Sequence, residues 1–218
     1  TEREQLTSSG QSNINTALRN VNALLRLTTN LINFERADTY SGSLYVSEYE
    51  LSTYMEETID AFRSYANIKH INLTYESSFR YLNVWLDKDK MDSILKNIIS
   101  NALKYTPDGG NVHVFTSETE DTWSIEVKDT GIGIPASEQK KLFKMHFRGS
   151  NAINSKVTGS GIGLLLVGKL VHLHKGKLNF SSMEGKGSCI KITFPKGNKH
   201  FRKAIQRPQP QNERIVYS

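Results

Sequence analysis

The stretch NIISNALKYT, residues 97–106, carries polar side chains at a spacing that could bind a metal ion and a phosphate. Asn97, Asn101 and Lys104 stand at positions i, i+4 and i+7, so a helix places them on one stripe, with Tyr105 beside Asn101. Amide oxygens can complete the coordination of a hard cation that phosphates already hold, and a lysine can meet phosphate charge. In isolation, this stripe is more typical of a solvated helix face.

A second candidate is DTGIGIP, residues 129–135, which directly follows a predicted strand. An ionised Asp129 only accepts hydrogen bonds, and Gly131 and Gly133 permit tight backbone geometry and the close approach of a flat ligand. An acceptor suits adenine, whose exocyclic amine donates, whereas guanine presents an oxygen there. Taken singly, the motif is equally typical of an ordinary glycine turn.

The third candidate is GSGIGL, residues 159–164, which ends in Leu164 and runs into a predicted helix. Gly159, Gly161 and Gly163 let backbone amides face phosphate at the positive end of that helix. The motif lacks the Gly-Lys-Ser/Thr of a P-loop, and no dinucleotide-type βαβ unit surrounds it, so it is weak evidence alone.

A polar, irregular segment separates the two glycine motifs. Six of the fifteen glycines of the chain fall between residues 131 and 163. This composition predicts a mobile lid over residues 131–163, with Phe143 and Phe147 as apolar anchors.

The composition is that of a soluble globular protein. The chain has 218 residues, of which 37% are hydrophobic and 23% charged, and no apolar run approaches the roughly 20 residues of a membrane span. Its one cysteine, Cys189, excludes an internal disulfide and favours a reducing compartment, so we expect a cytoplasmic location.

The net charge of +6 is concentrated at the C-terminal end. Residues 196–218 hold six basic residues and one acid, so they contribute +5 of the total. Because Pro208 and Pro210 lie there among glutamines, a solvated basic linker or tail over 199–218 is favoured over a DNA-binding arm.

Residues 13–36 show a wide apolar stripe that predicts an amphipathic helix. One helix cannot bury such a stripe alone, so it either folds back on the body or belongs to a bundle, most simply a dimeric one. The polar residues before it predict a loop.

The remaining pattern predicts a two-layer α+β sandwich, in which helices cover one face of a mixed, mostly antiparallel sheet. The predicted elements are a strand at 44–46, a helix at 51–66, strands at 71–76 and 82–86, a helix ending before Pro107, strands at 111–118 and 122–129, a helix at 161–174 ended by Gly176, and strands at 177–182 and 188–195.

The motifs NxxxNAxKYT, DTGIGI, FxxxFRG and GxGxGL occur in this order, and together they resemble the catalytic, ATP-binding part of bacterial sensor histidine kinases. That family shares its Bergerat-type fold with gyrase, mismatch-repair ATPases and the heat-shock chaperone ATPase. The resemblance runs from about Leu44 to Pro195. It implies a catalytic domain at 39–198, and residues 1–38 resemble the second helix of the family's dimerisation and phosphoacceptor domain.

The resemblance also implies ATP and Mg²⁺ as ligands and assigns a role to each residue. Asn101, assisted by Asn97, would hold the magnesium ion. At the base, Asp129 would accept from the adenine amine, Gly131 and Gly133 would shape the pocket, Tyr105 would cover the adenine or ribose, and Thr193 would contact adenine through water. At the phosphates, Lys104 would make a direct contact, Gly159, Gly161 and Gly163 would form a loop before Leu164, and Arg148 would neutralise γ-phosphate charge. Phe147 would anchor the lid.

Asn97 separates kinase from hydrolase. Hydrolytic members of the superfamily place a glutamate four residues before the magnesium-binding asparagine, and an amide is not a useful base near neutral pH. The asparagine therefore favours phosphoryl transfer to a nucleophile such as a neutral imidazole. Two alternatives remain open: an ATP-hydrolysing dimer clamp, and a nucleotide-binding interaction module without catalysis.

None of the six histidines of the chain is followed by an acidic residue, as the family's phosphoacceptor is. We therefore expect the acceptor helix upstream of residue 1, and no self-phosphorylation by this chain alone. The resemblance further implies a homodimer through the helical domain, a response regulator receiver domain as partner, and the cytoplasmic part of a membrane-anchored sensor. Contact with nucleic acid or with the membrane is not expected.

Overall fold

A computed structural model describes residues 10–21, 24–25, 28, 44–139, 142, 163–201 and 205–206. The elements are helix α1 within residues 10–28, strand β1 (Tyr45–Glu50), helix α2 (Leu51–Ile68), strands β2 (Asn72–Ser77) and β3 (Asn83–Leu86), helix α3 (Lys88–Tyr105), strands β4 (Asn111–Glu118) and β5 (Thr122–Asp129), the short helix α4 (Ala136–Gln139), helix α5 (Gly163–Leu173), strands β6 (Lys177–Met183) and β7 (Gly187–Pro195), a 3-10 turn (Lys199–Phe201) and strand β8 (Ile205–Gln206).

The main sheet has five strands in the order β2-β4-β5-β7-β6. Strand β2 runs parallel to β4, and the other neighbours are antiparallel. The predicted mixed, mostly antiparallel sheet is therefore confirmed. Its strands lie within one or two residues of their predicted bounds, because alternating apolar residues mark them in the sequence.

Alternation along the central strands determines which face of the sheet the helices cover. Trp123, Ile125 and Val127 of β5 are buried, as are Ile192 and Phe194 of β7, and all five join the same core as α2, α3 and α5. Because successive side chains of a strand point to opposite faces, the residues between them point away from the helices. The site residues of each strand can be assigned to a face by this rule.

Helices α2 and α3 each begin at an acidic N-cap. The carboxylate of Glu50 accepts from the backbone N–H groups of Ser52 and Thr53, and that of Asp87 accepts from the N–H of Lys90. These bonds satisfy amides that have no partner inside a helix. Helix α3 ends at Tyr105, as expected from Pro107 two residues later.

The end of helix α5 differs from the expectation. Lys175, with φ of 60°, adopts the left-handed conformation that ends the helix, while Gly176 does not. A Cβ placed on Gly176 would lie 2.6 Å from Cδ1 of Phe194, so this glycine allows close packing instead. The prediction that Gly176 supplies the helix stop is therefore wrong by one residue.

A second, smaller sheet has the order β3-β1-β8. Strand β8 pairs in parallel with the start of β1, and Phe201 is buried with Leu44 and Val46. The predicted tail began at residue 199, whereas the structure shows a 3-10 turn at Lys199–Phe201 and strand β8 within that range. The buried side chain of Phe201 joins the turn to the body, and the backbone pairing with β1 joins β8 to it.

His174 lies between the two sheets and is only 1% exposed. Its Nε2 accepts from the backbone N–H of Asp87 at 3.3 Å, and its Nδ1 lies 2.8 Å from the carbonyl oxygen of Leu170. Rings of Phe194 and Phe201 contact it edge-on. This arrangement requires a neutral imidazole that donates through Nδ1 and accepts through Nε2.

Helix α1 is confirmed where the structure describes it, at residues 10–21, 24–25 and 28, and it includes residues 10–13, for which a loop was predicted. Residues 29–36 of the predicted helix lie outside the described residues. Ile14, Leu18, Val21, Leu24 and Leu25 are between 45% and 62% exposed, so the described body of the chain does not cover the apolar stripe.

Acid is expected to weaken the fold through His174. Burial lowers the pKa of this imidazole below its ordinary value of 6.5, while the bond to Leu170 and the charge of Asp87 oppose the shift. Below pH 6.5 the unfolded chain therefore binds more protons, and the free energy of unfolding decreases by up to about 1.4 kcal/mol per pH unit. Urea unfolding between pH 7.5 and pH 5 measures this slope.

Two variants separate His174 from other titrating groups. We expect His174→Phe to be less stable at pH 7.5, because the Asp87 N–H loses its partner, and to have a shallower slope. The matched control is His172→Gln, at an exposed histidine that makes none of these contacts with Asp87 or Leu170. His200, whose pKa is lowered by burial and by Lys175, titrates in all three chains. Equal slopes for the unmodified chain and His174→Phe would contradict the account.

Candidate nucleotide site

The polar stripe predicted on α3 lies along the C-terminal half of that helix. Asn97, Asn101, Lys104 and Tyr105 are all half-buried, and the apolar face of α3 packs into the core beside them. At a rise of 1.5 Å per residue, the stripe extends for about 12 Å along the helix axis. Helix α3 is thus the element that fixes the spacing of these four side chains.

The N-terminal end of the stripe contacts the start of α5. Nδ2 of Asn97 donates to the carbonyl of Ser93 at 2.8 Å, which fixes the side-chain amide with its Oδ1 toward Gly163. A Cβ placed on Gly163 would lie 2.5 Å from this Oδ1, so only glycine allows α3 and α5 to approach so closely. The first amides of α5 are therefore held beside Asn97, where an anion would meet the positive end of a helix.

The C-terminal end of the stripe contacts the DTGIGIP loop. The backbone N–H of Ile132 donates to the carbonyl of Tyr105 at 3.1 Å. A Cβ on Gly131 would lie 2.7 Å from the same carbonyl oxygen, so a side chain at this position would push the loop away. Nζ of Lys104 lies 3.4 Å from the hydroxyl of Tyr105 and 4.8 Å from the centre of its ring.

Asp129 ends β5 on the face of the sheet that the helices cover. Its Oδ1 accepts from the backbone N–H of Gly131 at 2.8 Å and from that of Ser188 at 3.2 Å. Within the described part of the chain, no hydrogen bond to its Oδ2 occurs. The carboxylate is therefore held by one oxygen and offers the other to a donor such as an amine.

Burial raises the pKa of the Asp129 carboxyl above its ordinary value of 3.8, and the hydrogen bonds from Gly131 and Ser188 only partly oppose this. The ionised group is thus costly in the folded chain when no ligand is present. A carboxyl with a shifted pKa, held at the end of a strand, is a feature that many functional sites share.

Two serines that the sequence analysis missed stand in line with Asp129. Ser188 of β7 is directly opposite Asp129, and Ser182 of β6 is directly opposite Ser188. The two hydroxyl oxygens are 2.9 Å apart. Three neighbouring strands therefore end in a continuous row of polar groups on the helix-covered face.

Thr193 is not part of this row. It pairs with Ser124, five positions along β7 from Ser188, and it alternates with the buried Ile192 and Phe194. Its side chain consequently points away from the helices. Thr193 is therefore not beside Asp129 as predicted, and Ser188 is the β7 residue opposite that carboxylate. The alternation of Ile190, Ile192 and Phe194 in the sequence could have indicated this.

The second glycine of the loop is fixed against the β6–β7 turn. Gly133 has a φ of 61°, and a Cβ at this position would collide with the carbonyl of Met183. The N–H of Ile134 donates to Oγ of Ser182 at 2.8 Å, and Nε2 of Gln139 donates to the carbonyl of Ser182 at 2.8 Å. These contacts hold the loop at the end of the sheet.

The structure thus brings together Asn97 with Gly163, and Tyr105 with Gly131 and Asp129, while Asn101 lies between the two pairs on α3. Leu164 packs against the core and anchors the start of α5. The predicted positions Phe147, Arg148, Gly159 and Gly161, and most of the lid, lie outside the described residues. Their roles remain predictions.

Residues 86–198, just over half of the chain, match the model of the family described as histidine kinase-, DNA gyrase B- and HSP90-like ATPases. The chain belongs to this ATPase family. The matched region contains α3, the DTGIGIP loop, α5 and β7, and so includes every residue of the candidate site.

The relatives of this ATPase domain are histidine kinases. Sensor histidine kinase WalK of Bacillus subtilis is 34% identical over 174 residues, which cover 79% of this chain and 28% of WalK. Histidine kinase P4 of Formosa agariphila is 29% identical over 184 residues, which cover 83% of this chain and 13% of that protein. The resemblance to sensor histidine kinases is confirmed, and the chain spans less than a third of the length of these relatives.

Solved structures of histidine kinases share the fold. Full-length ShkA in complex with AMPPNP has a TM-score of 0.75 and 23% identity, over 90% of this chain and 41% of that one. The catalytic domain of ThkA has a TM-score of 0.62 and 23% identity, over 70% of this chain and 97% of that one. The predicted Bergerat-type fold is therefore confirmed.

Among the described residues, no group of three or more His, Cys, Asp or Glu side chains could hold a metal ion. A metal at the candidate site would therefore depend on amide oxygens and on the ligand itself. Over the same residues, no helix is both long and apolar enough to cross a membrane.

Asp129→Asn tests the cost of holding this half-buried carboxylate in the folded chain. The amide oxygen can accept the same two backbone N–H groups without carrying a charge. Because the folded chain binds more protons than the unfolded one from pH 3.8 up to the raised pKa, the stability of the unmodified chain decreases as pH rises through that window. We expect Asp129→Asn, free of ligand at pH 7, to gain about 0.5–2 kcal/mol in the free energy of unfolding.

The matched control is Asp108→Asn, at an exposed position in the turn after α3, which should change stability by less than about 0.5 kcal/mol. Urea unfolding of the three chains between pH 4 and pH 8 gives the comparison. A loss of stability in Asp129→Asn at pH 7 would show that the carboxylate serves the fold and not a ligand.

Proposed function

We propose that this chain is the ATP- and magnesium-binding catalytic domain of a sensor histidine kinase, which transfers the γ-phosphoryl group of ATP to a histidine on a dimerisation helix. The observation that carries the proposal is the arrangement along α3, which has a hydrogen-bond acceptor at one end and a helix N-terminus at the other. A nucleotide has matching ends: a base amine that donates and phosphates that carry negative charge.

The base end of the site favours adenine. Oδ2 of Asp129, to which no described residue donates, accepts from the exocyclic amine, while guanine would place a carbonyl oxygen against this carboxylate. Gly131 and Gly133 keep the floor flat, and Tyr105 covers the base or ribose. The hydroxyl of Ser188, in line with Asp129, is available for a water-mediated contact in the role first predicted for Thr193.

The phosphate end of the site fits a magnesium–triphosphate group. The amide of Asn101 is half-buried on the stripe and makes no hydrogen bond to another described residue, so its oxygen would serve as a ligand, with Asn97 assisting. Lys104 and the amides at the start of α5 would hold the phosphates. A bound magnesium ion would supply charge neutralisation at the transferring phosphoryl group. In the same scheme, Arg148 would neutralise charge on the γ-phosphate, and the loop of Gly159, Gly161 and Gly163 would surround the phosphates.

Transfer is favoured over hydrolysis by the identity of residue 97. Its side chain occupies the place beside Gly163 where a hydrolytic family member would carry a carboxylate, and an amide cannot deprotonate water at neutral pH. The Asn97 side chain is also held in place, because its Nδ2 already donates to the Ser93 carbonyl. A neutral imidazole needs no such base, so a histidine brought into the site can attack directly.

The same scheme assigns partners. We propose a homodimer through the exposed apolar stripe of α1, a phosphoacceptor histidine outside this chain, and a response regulator receiver domain that takes the phosphoryl group. The structure of ThkA in complex with the response regulator TrrA shares the fold at a TM-score of 0.64 and 18% identity. We further propose that the chain is the cytoplasmic part of a membrane-anchored sensor.

Isothermal titration with an ATP analogue and magnesium, combined with an assay of ATP turnover, tests the proposal. We expect the chain to bind the analogue, to turn over ATP slowly, and to acquire no stoichiometric acid-labile phosphohistidine by itself. Asp129→Asn should bind at least about tenfold more weakly, because an amide N–H would face the base amine. Asp108→Asn should bind normally.

Each contrary result favours a different function. Rapid steady turnover of ATP would favour the hydrolysing dimer clamp. Absence of analogue binding would favour an interaction module. Stoichiometric phosphohistidine on this chain would show that one of its own six histidines is the acceptor.

A further inference from the structure

Lys69 is the side chain that closes the C-terminal end of α3. It lies at the C-cap of α2, outside every nucleotide motif of the chain. Its Nζ donates to the carbonyl of Leu103 at 2.8 Å and to that of Thr106 at 2.6 Å, with Lys104 O at 3.5 Å. A single ammonium group thus spans the last turn of the helix.

These carbonyls would otherwise have no intrahelical donor. The last four carbonyls of a helix lack partners within it, and a positive charge there also meets the negative end of the helix dipole. The neighbouring carbonyls are already occupied: Ala102 O accepts from Thr106, and Tyr105 O accepts from Ile132. Lys69 therefore completes the end of α3.

The direction of the Lys69 side chain is itself fixed. His70 adopts a left-handed conformation, with φ of 52°, and its N–H donates to the carbonyl of Asn67. The backbone carbonyl of Lys69 accepts from the N–H of Gly109, in the turn that follows α3. The backbone of Lys69 is thus joined to the turn that directly follows the segment whose carbonyls its side chain binds.

Leu103 and Thr106 flank Lys104 and Tyr105, which the proposed function places on the phosphates and on the base. We propose that Lys69 is a positioning residue for nucleotide binding: by holding the carbonyls on either side, it fixes the directions of the Lys104 and Tyr105 side chains. The inference rests on the proposed function. It extends the site to a lysine 35 residues before Lys104 that touches no nucleotide.

Lys69→Met tests the inference, because methionine keeps the length of the side chain and removes the charge and all donors. We expect its dissociation constant for an ATP analogue with magnesium to rise about tenfold at 20 °C. Lys69→Arg, whose planar group also donates to several carbonyls, should stay within about threefold of the unmodified chain. Lys96→Met, which removes an exposed lysine from α3, should bind the analogue as the unmodified chain does.

A second readout separates positioning from stability alone. Each variant is titrated without urea, at a temperature where it is fully folded. The backbone amide resonances of Lys104, Tyr105 and Ile132 are then compared by NMR. We expect these resonances to shift in Lys69→Met and to return in Lys69→Arg. If Lys69→Met does not fold, Lys69→Gln, which keeps one donor, should show an intermediate loss of affinity.

The outcomes distinguish this inference from the proposed function. If the unmodified chain fails to bind the analogue, the proposed function is wrong, and the inference with it. If the unmodified chain binds and a folded Lys69→Met or Lys69→Gln binds equally well, only the inference is overturned. If Lys69→Met unfolds at a lower urea concentration but keeps its affinity for the analogue, Lys69 acts only as a helix cap.

Discussion

The hydrogen bonds to Oδ1 of Asp129 are the contacts on which the site depends. They join the end of β5 to the glycine loop through Gly131 and to β7 through Ser188. Since one oxygen accepts both bonds, the other is held in a fixed direction at the edge of the sheet. The loop then reaches the end of α3, so a single carboxylate sets the distance between the sheet and the helix that carries the stripe.

Helix α3 extends that geometry from the base end to the phosphate end. Its C-terminal turn is fixed by Lys69 and Ile132, and its middle is fixed against α5 by the contact of Asn97 with Gly163. A rigid helix between two fixed ends is a suitable scaffold for catalysis that relies on positioning and charge. In the proposed scheme Asn97 favours transfer over hydrolysis, because an amide at the position of the general base cannot deprotonate water.

Much of this could be predicted from sequence because it is local. Alternation marked β4 and β5, helical spacing marked the stripe on α3, and Gly131 and Gly133 marked the loop after β5. The corrections concern pairings between distant segments. Ser188 faces Asp129 because of the β5–β7 register, β8 pairs with β1 across most of the chain, and the bond from Lys69 to α3 depends on how two helices meet. The spacing of residues within one segment does not predict which distant segments pair. The alternation along β7 could, however, have shown that Thr193 faces away from the site.

The central claim is that the free oxygen of Asp129 selects an amine-bearing base. A competition titration of the unmodified chain with magnesium, using non-hydrolysable analogues of ATP and GTP that share the same triphosphate, tests it most directly. The account predicts that the ATP analogue binds at least about a hundredfold more tightly, because the guanine carbonyl would leave the half-buried Asp129 carboxylate without a donor. Equal affinities for the two analogues would contradict it.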